Sequence, residues 1–178
     1  MHRILSGITD LDQHFHALFH TPVLYRPSAC PRCGFGTLWR HGYYYRKADR
    51  YPASCPSRNP VPILRCFCPA CLHTCSRVPQ CVAPRGWYNW EARQRVLSWL
   101  LHGVSLRGCS RRSGLARHTL RRWWQWLNRR SDVFAFHLKS RFPEWGRSCD
   151  SASFWRLALD RMPLAEIMTW LNHDLVVP

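Results

Sequence analysis

Cys30-Pro31-Arg32-Cys33-Gly34 and Cys68-Pro69-Ala70-Cys71, with 34 residues between Cys33 and Cys68, are two copies of one device. In a CPxC turn two thiolates converge on a metal, while backbone N–H groups point back at the sulfurs and lower their basicity. One such turn alone has the spacing of a redox pair. Two, each with a proline after its first cysteine, supply the four sulfurs of a tetrahedron, the preferred site of structural Zn(II). The expected ligands are Cys30, Cys33, Cys68 and Cys71 around one structural zinc ion. Four protein sulfurs leave no open position for water, so this zinc folds its module and catalyses nothing.

The flanking sequence agrees with a ribbon over 30–82. "GTLWRHGYYYRK" (36–47) and "VPILRCF" (61–67) read as strands, rich in aromatic and branched residues, with the turn-rich "ADRYPASCPSRNP" between them. Cys66 and Cys75 lie close enough to the pairs to compete as ligands, but a turn needs CxxC spacing. They are expected in small apolar positions under the sheet. His41 is expected as a strand or surface residue, and Cys55 and Cys81 have no assigned role.

Ten cysteines in 178 residues raise the question of redox compartment. The start, Met1 to Asp10, has no apolar signal core, and no run approaches the roughly 18 apolar residues of a membrane span. A cytoplasmic, nucleoid-associated protein is therefore expected, and in a reducing compartment cysteines are thiols and metal ligands rather than disulfides. Lys and Arg number 26 against 10 Asp and Glu, a net charge of +16, which points to a polyanionic partner, nucleic acid before membrane. The charge is local. Residues 83–130 hold eleven Arg against one acid, Glu91, whereas 131–178 hold five Lys or Arg and six Asp or Glu.

Ahead of the ribbon, residues 1–29 carry Ile4, Ile8, Leu11, Phe15, Leu18 and Phe19 at helical spacing, with Thr9 as N-cap candidate and Thr21-Pro22 as the stop. His14, His16 and His20 are read as a solvated face of that helix rather than a metal pair. Behind the ribbon, Trp90 to His102 reads as a first helix, Ser105 caps a second over Leu106 to Ser113, and Gly114-Leu115-Ala116 is a tight turn. The third helix is "RHTLRRWWQWLNRR" (117–130), with Leu120, Trp123, Trp124 and Leu127 as its apolar stripe. On its other side lie Arg117, His118, Arg121, Arg122, Gln125 and Arg129. This is the order of a helix-turn-helix, whose third helix buries one side and offers a polar, cationic side to a major groove about 12 Å wide. Two short helices are expected at about 151–161 and 164–173. The fold class is thus small α+β: a lead-in (1–29), a four-cysteine ribbon (30–82), a trihelical domain (83–130) and a C-terminal helical extension (131–178).

The order of modules resembles the front of many insertion-sequence transposases, a zinc ribbon of the form CPxCG…HG…R…RxxCxxC followed by G-x-S-x-R…G…T-L-x-R-W. The residues that carry the likeness are Cys30, Cys33, Gly34, His41, Gly42, Arg46, Arg65, Cys68 and Cys71, then Gly103, Ser105, Arg107, Gly114, Thr119, Leu120, Arg122 and Trp123. The resemblance covers about 30–130. It implies recognition of double-stranded DNA at terminal inverted repeats, as a homodimer or beside a partner transposase. The likeness stops before catalysis. An RNase-H-like domain needs roughly 100 or more further residues and three carboxylates holding two metal ions, and 48 residues follow Arg130. A sequence-specific DNA binder without enzymatic activity is expected, either free-standing, which the packed look of the C-terminal stretch mildly favours, or the front of a longer enzyme.

Two other classes fit the composition. An RNA- or single-strand-binding ribbon would use Tyr43 and Tyr45 on one face beside Arg40, Arg46 and Lys47 as a stacking platform, although half-buried strand packing is the favoured reading of these two tyrosines. A protein-interaction adaptor would dock through its tryptophans.

Overall fold

The computed structural model describes residues 4–47, 58–84, 88–148 and 150–175. Cys55 and Cys149 lie outside them. The protein is α+β with six α-helices and two small sheets among the described residues, and it forms two compact units, residues 1–89 with 175–178 and Trp90–Asp174. No helix among the described residues is long and apolar enough to cross a membrane.

The first unit centres on a three-stranded antiparallel sheet of β2 (Trp39–Arg46), β3 (Val61–Cys68) and β4 (His73–Cys75), in that order. Leu64, Cys66, Cys68 and Cys75 face one core with Leu18, Tyr25, Cys30 and Leu38. Cys66 and Cys75 are register partners and buried, as small apolar residues would be. The expected helix from Ile4 onward is shorter and starts later. Ile4–Leu5 form β1, parallel to β5 (Val78–Pro79), and α1 spans Leu11–His20 after a turn. Its N-cap is Asp10, not Thr9: Asp10 Oδ1 accepts from the Gln13 N–H at 2.8 Å, and Gln13 Oε1 accepts from the Thr9 N–H at 2.9 Å. This reciprocal arrangement satisfies two N–H groups at once, which a lone Thr9 would not do. Phe19, expected on the buried face, is 72% exposed.

His14 is a second correction, since it is buried rather than solvated. Its Nε2 lies 2.8 Å from the Pro62 carbonyl, which only accepts, so Nε2 carries the hydrogen and Nδ1 accepts from the Tyr25 hydroxyl at 2.6 Å. The pair ties α1 to the sheet. Burial pushes the His14 pKa below its usual 6.5, against a smaller opposing pull from the Pro62 carbonyl. Unfolded His14 titrates near 6.5, so its stabilising contribution is complete above that pH and is lost as pH falls toward the lower folded value. We expect the urea midpoint of the metal-loaded first unit to drop between pH 7.5 and pH 5.5, and His14→Gln to flatten that drop. A midpoint that rises on acidification would contradict the assignment.

The second unit is helical. α2 (Trp90–Leu101), α3 (Leu106–Ser113) and α4 (Arg117–Arg141) each pack on the other two, and α5 (Ser151–Arg161) and α6 (Leu164–Asp174) pack on α2 and α4. Ser105 caps α3 through the Gly108 N–H at 3.1 Å, and Gly114 closes it. α5 and α6 occupy the expected stretches. The third helix does not stop at Arg130 but runs on to Arg141. The charge changes sign at 130, yet no helix breaker occurs until Pro143, and Ser131, Phe134 and Leu138 continue the buried stripe. Gln94 Oε1 accepts from the Leu164 N–H at 2.8 Å, and the Arg156 guanidinium donates to the Leu101 carbonyl at 3.1 Å, so side chains of α2 and α5 satisfy helix ends in this unit.

Candidate functional site

The four cysteines of the two CPxC turns come together. Their sulfurs all lie within 4.8 Å of one another, with Cys30 to Cys71 and Cys33 to Cys68 each at 3.6 Å. A tetrahedral site with metal–sulfur bonds of about 2.3 Å has sulfur–sulfur edges of about 3.8 Å, so the cluster fits one structural metal ion. Among the described residues no other group of three or more candidate ligands does so. His41 is outside it and packs on Phe67, ring centroids 5.6 Å apart.

The two turns are built alike. In the first, the Cys30 N–H donates to the Phe35 carbonyl and the Gly34 N–H to the Cys30 carbonyl, at 2.8 and 2.9 Å. Sulfurs accept backbone N–H groups two residues ahead: Cys30 from Arg32, Cys33 from Phe35 and Cys71 from His73. The residue after each second cysteine is left-handed, Gly34 at φ 77° and Leu72 at φ 57°. For leucine that conformation costs roughly 1–2 kcal/mol. We expect Leu72→Gly to stabilise the metal-loaded first unit by about 1 kcal/mol and Gly34→Ala to destabilise it by a similar amount, read as denaturant midpoints. Space is not the obstacle at Gly34, where a Cβ would meet nothing within 4 Å.

Electrostatics explain why a cation belongs here. Burial works against a Cys30 thiolate, but the Arg32 and Cys33 N–H groups and the thiols of Cys71 and Cys68 bring its pKa down to about 6. Cys71 is pushed up to about 12 by burial and by the sulfurs of Cys33, Cys30 and Cys68. Cys33 is raised too: the Phe35 N–H favours its thiolate, but burial and the sulfurs of Cys68 and Cys30 outweigh it. One thiolate forms readily, and each further one meets it at close range. A divalent cation removes that conflict and expels the remaining protons.

The second candidate region is α4. Arg117, His118, Arg121, Arg122, Gln125 and Arg129 are all exposed, and none of their side chains makes a hydrogen bond or ion pair with a described residue. At about 100° per residue they fall within an arc of about 140°. Thr119, Leu120, Trp123 and Leu127 are buried on the opposite side. Trp124, expected in that stripe, is only half-buried, because one residue beyond Trp123 swings it off the stripe's axis. Trp126 packs its ring against Phe134 at 5.9 Å, in a part of α4 expected to lie outside the helix. Arg93 on α2 is buried with its guanidinium 5.1 Å from the Trp90 ring and 5.7 Å from the Trp123 ring.

The stacking pair Tyr43 and Tyr45 is not a free platform. Tyr43 packs against the core, and Tyr45 lies beyond it, exposed. No protein-family model matches this chain, and no match is found among curated proteins or solved structures.

Proposed function

We propose that the chain is a sequence-specific double-stranded DNA-binding protein of a transposable element, similar to the recognition part of insertion-sequence transposases without their catalytic domain. In this reading the four cysteines hold one structural zinc ion that folds a ribbon, and α2, α3 and α4 form a helix-turn-helix with α4 as reader. The observation that carries it is the division of α4: six polar or cationic side chains, all exposed and unpartnered among the described residues, stand opposite a continuous buried stripe. Any surface helix carries a polar face, but this one holds four arginines and no acid. Arg and Gln suit guanine and adenine edges, and further arginines hold phosphates. The target is terminal inverted repeats, met by a homodimer or with a partner transposase, in the nucleoid.

Residues early in a recognition helix reach deepest into the groove, and later ones pass near the backbone. Arg122→Ala is expected to reduce preference for the chosen site over random duplex by about 1–3 kcal/mol, and Arg129→Ala to weaken both alike and lower the salt slope by about 0.9. Both variants should melt like the parent protein. Site selection from random duplex, then titration at several salt concentrations, measures this. A flat salt dependence, or an Arg122→Ala protein with unchanged preference, would remove α4 as the reader.

A further inference from the structure

The ribbon sheet carries an exposed aromatic surface that its folding does not require. Between Arg40, opposite Cys66, and Tyr43, opposite Leu64, three steps along β2 match two along β3, so β2 holds one extra residue. The bulge contains Gly42 at φ 70°, a left-handed position that glycine takes at no steric cost. One extra residue exchanges the faces of everything after it. Tyr43 therefore turns inward onto the core, and Tyr44 turns outward, where the Arg65 guanidinium lies 5.5 Å from its ring.

Before the bulge, Trp39 and His41 stay on the outer face. Trp39 is the register partner of Phe67, whose neighbours Cys66 and Cys68 point into the core, so Phe67 also faces out. The Trp39 and His41 rings lie 6.3 and 5.6 Å from Phe67. The trio is an open shelf: Trp39 is 57% exposed, His41 exposed and Phe67 half-buried. Arg65, two residues before Phe67 on β3, shares its face. Residues 30–47 and 58–82 carry seven Lys or Arg and no Asp or Glu. Rings with open faces, among described ribbon residues that carry cations and no acid, match a partner that pairs flat π-systems with negative charge.

We infer that Trp39, His41 and Phe67 form a stacking site for the unpaired bases of single-stranded DNA, with Arg65 on the phosphates, separate from the duplex-reading face proposed for α4. The bases of a duplex have their faces occupied by their neighbours, so this shelf takes bases that are out of the stack. The site stands whether or not α4 reads duplex.

The test uses the full-length, metal-loaded protein and three labelled probes in anisotropy titrations: a twelve-residue oligothymidine strand, an abasic strand of the same length, and a duplex. Trp39→Ala is expected to weaken oligothymidine binding by about 5- to 100-fold, to leave duplex binding within about twofold, and to be rescued largely by Trp39→Phe. The unaltered protein is expected to hold the abasic strand no better than Trp39→Ala holds oligothymidine, an arm that needs no variant to fold. Arg122→Ala should show the converse pattern if α4 reads duplex, so the two readings fail separately. Equal affinity of the unaltered protein for abasic and base-bearing strands would overturn the site. So would a Trp39→Ala protein of full metal content with unchanged oligothymidine affinity. A tenfold preference for oligouridine would overturn the assignment to DNA, and Trp39-dependent capture of a polyglutamate peptide in place of any strand would make the shelf a protein-docking surface.

Discussion

Chelating the metal, or replacing Cys33 or Cys71 by serine, is expected to abolish the cooperative unfolding transition of residues 1–89. Structural zinc sites of this kind contribute about 10–16 kcal/mol near neutral pH, against a total stability of about 5–15 kcal/mol for a whole domain. The first unit has little to set against that loss. Its sheet has three short strands, and two of its core residues, Cys30 and Cys68, are themselves ligand candidates. Removing a single sulfur opens one position of the tetrahedron to water and leaves one of the two turns holding the ion by a single sulfur. Metal analysis should give about one zinc per chain, and calorimetry with near-UV circular dichroism during chelator titration should show loss of tertiary signal in step with zinc release. Cys109→Ser is the control: this thiol is buried in α3 of the other unit, so metal content should be unchanged. A metal-free protein that kept a cooperative transition in the first unit would refute the claim.

Trp155→Ala is expected to cost the helical unit about 3–5 kcal/mol, the range for a large buried aromatic. At about 4–8 °C per kcal/mol for a unit of this size, its melting temperature should fall by more than about 12 °C. Trp155 is almost fully buried on α5 and meets the ring of Phe134 edge to face at 6.2 Å. Its indole N–H donates to Ser131 Oγ at 2.8 Å, so the truncation leaves a cavity and removes one of the two partners of that hydroxyl, Ser151 being the other. Phe134 and Ser131 belong to the second half of α4, whose first half carries the proposed reading face. Thermal unfolding should therefore remain a single transition, shifted as a whole, and duplex binding should fall with it. If α2, α3 and the start of α4 melted independently of the variant, the C-terminal helices would be an accessory rather than part of the unit.

What could be read in one dimension was what depends on local spacing. Two CPxC turns and the strand-like runs beside them specify which four sulfurs meet, because turn geometry and alternation act over a few residues. The caps at Ser105 and Gly114 and the paired periods of α5 and α6 were legible for the same reason. The six polar positions of α4 followed from helical period alone. Their partners could not follow from it. His14 lies on a helix that looked solvated, and only the Pro62 carbonyl and the Tyr25 hydroxyl, far away in sequence, make its burial affordable. Arg93 is buried because two indole faces from different helices receive its charge. The end of α4 was placed where charge changed, whereas a helix ends where its hydrogen bonds or its packing end, and Phe134 and Leu138 still had a core to fill. The bulge at Gly42 is the sharpest case. An extra residue is defined only against the partner strand, so alternation along β2 could relate Tyr43 to Tyr45 but neither of them to Trp39, and pairing with β3 decided which rings face the solvent.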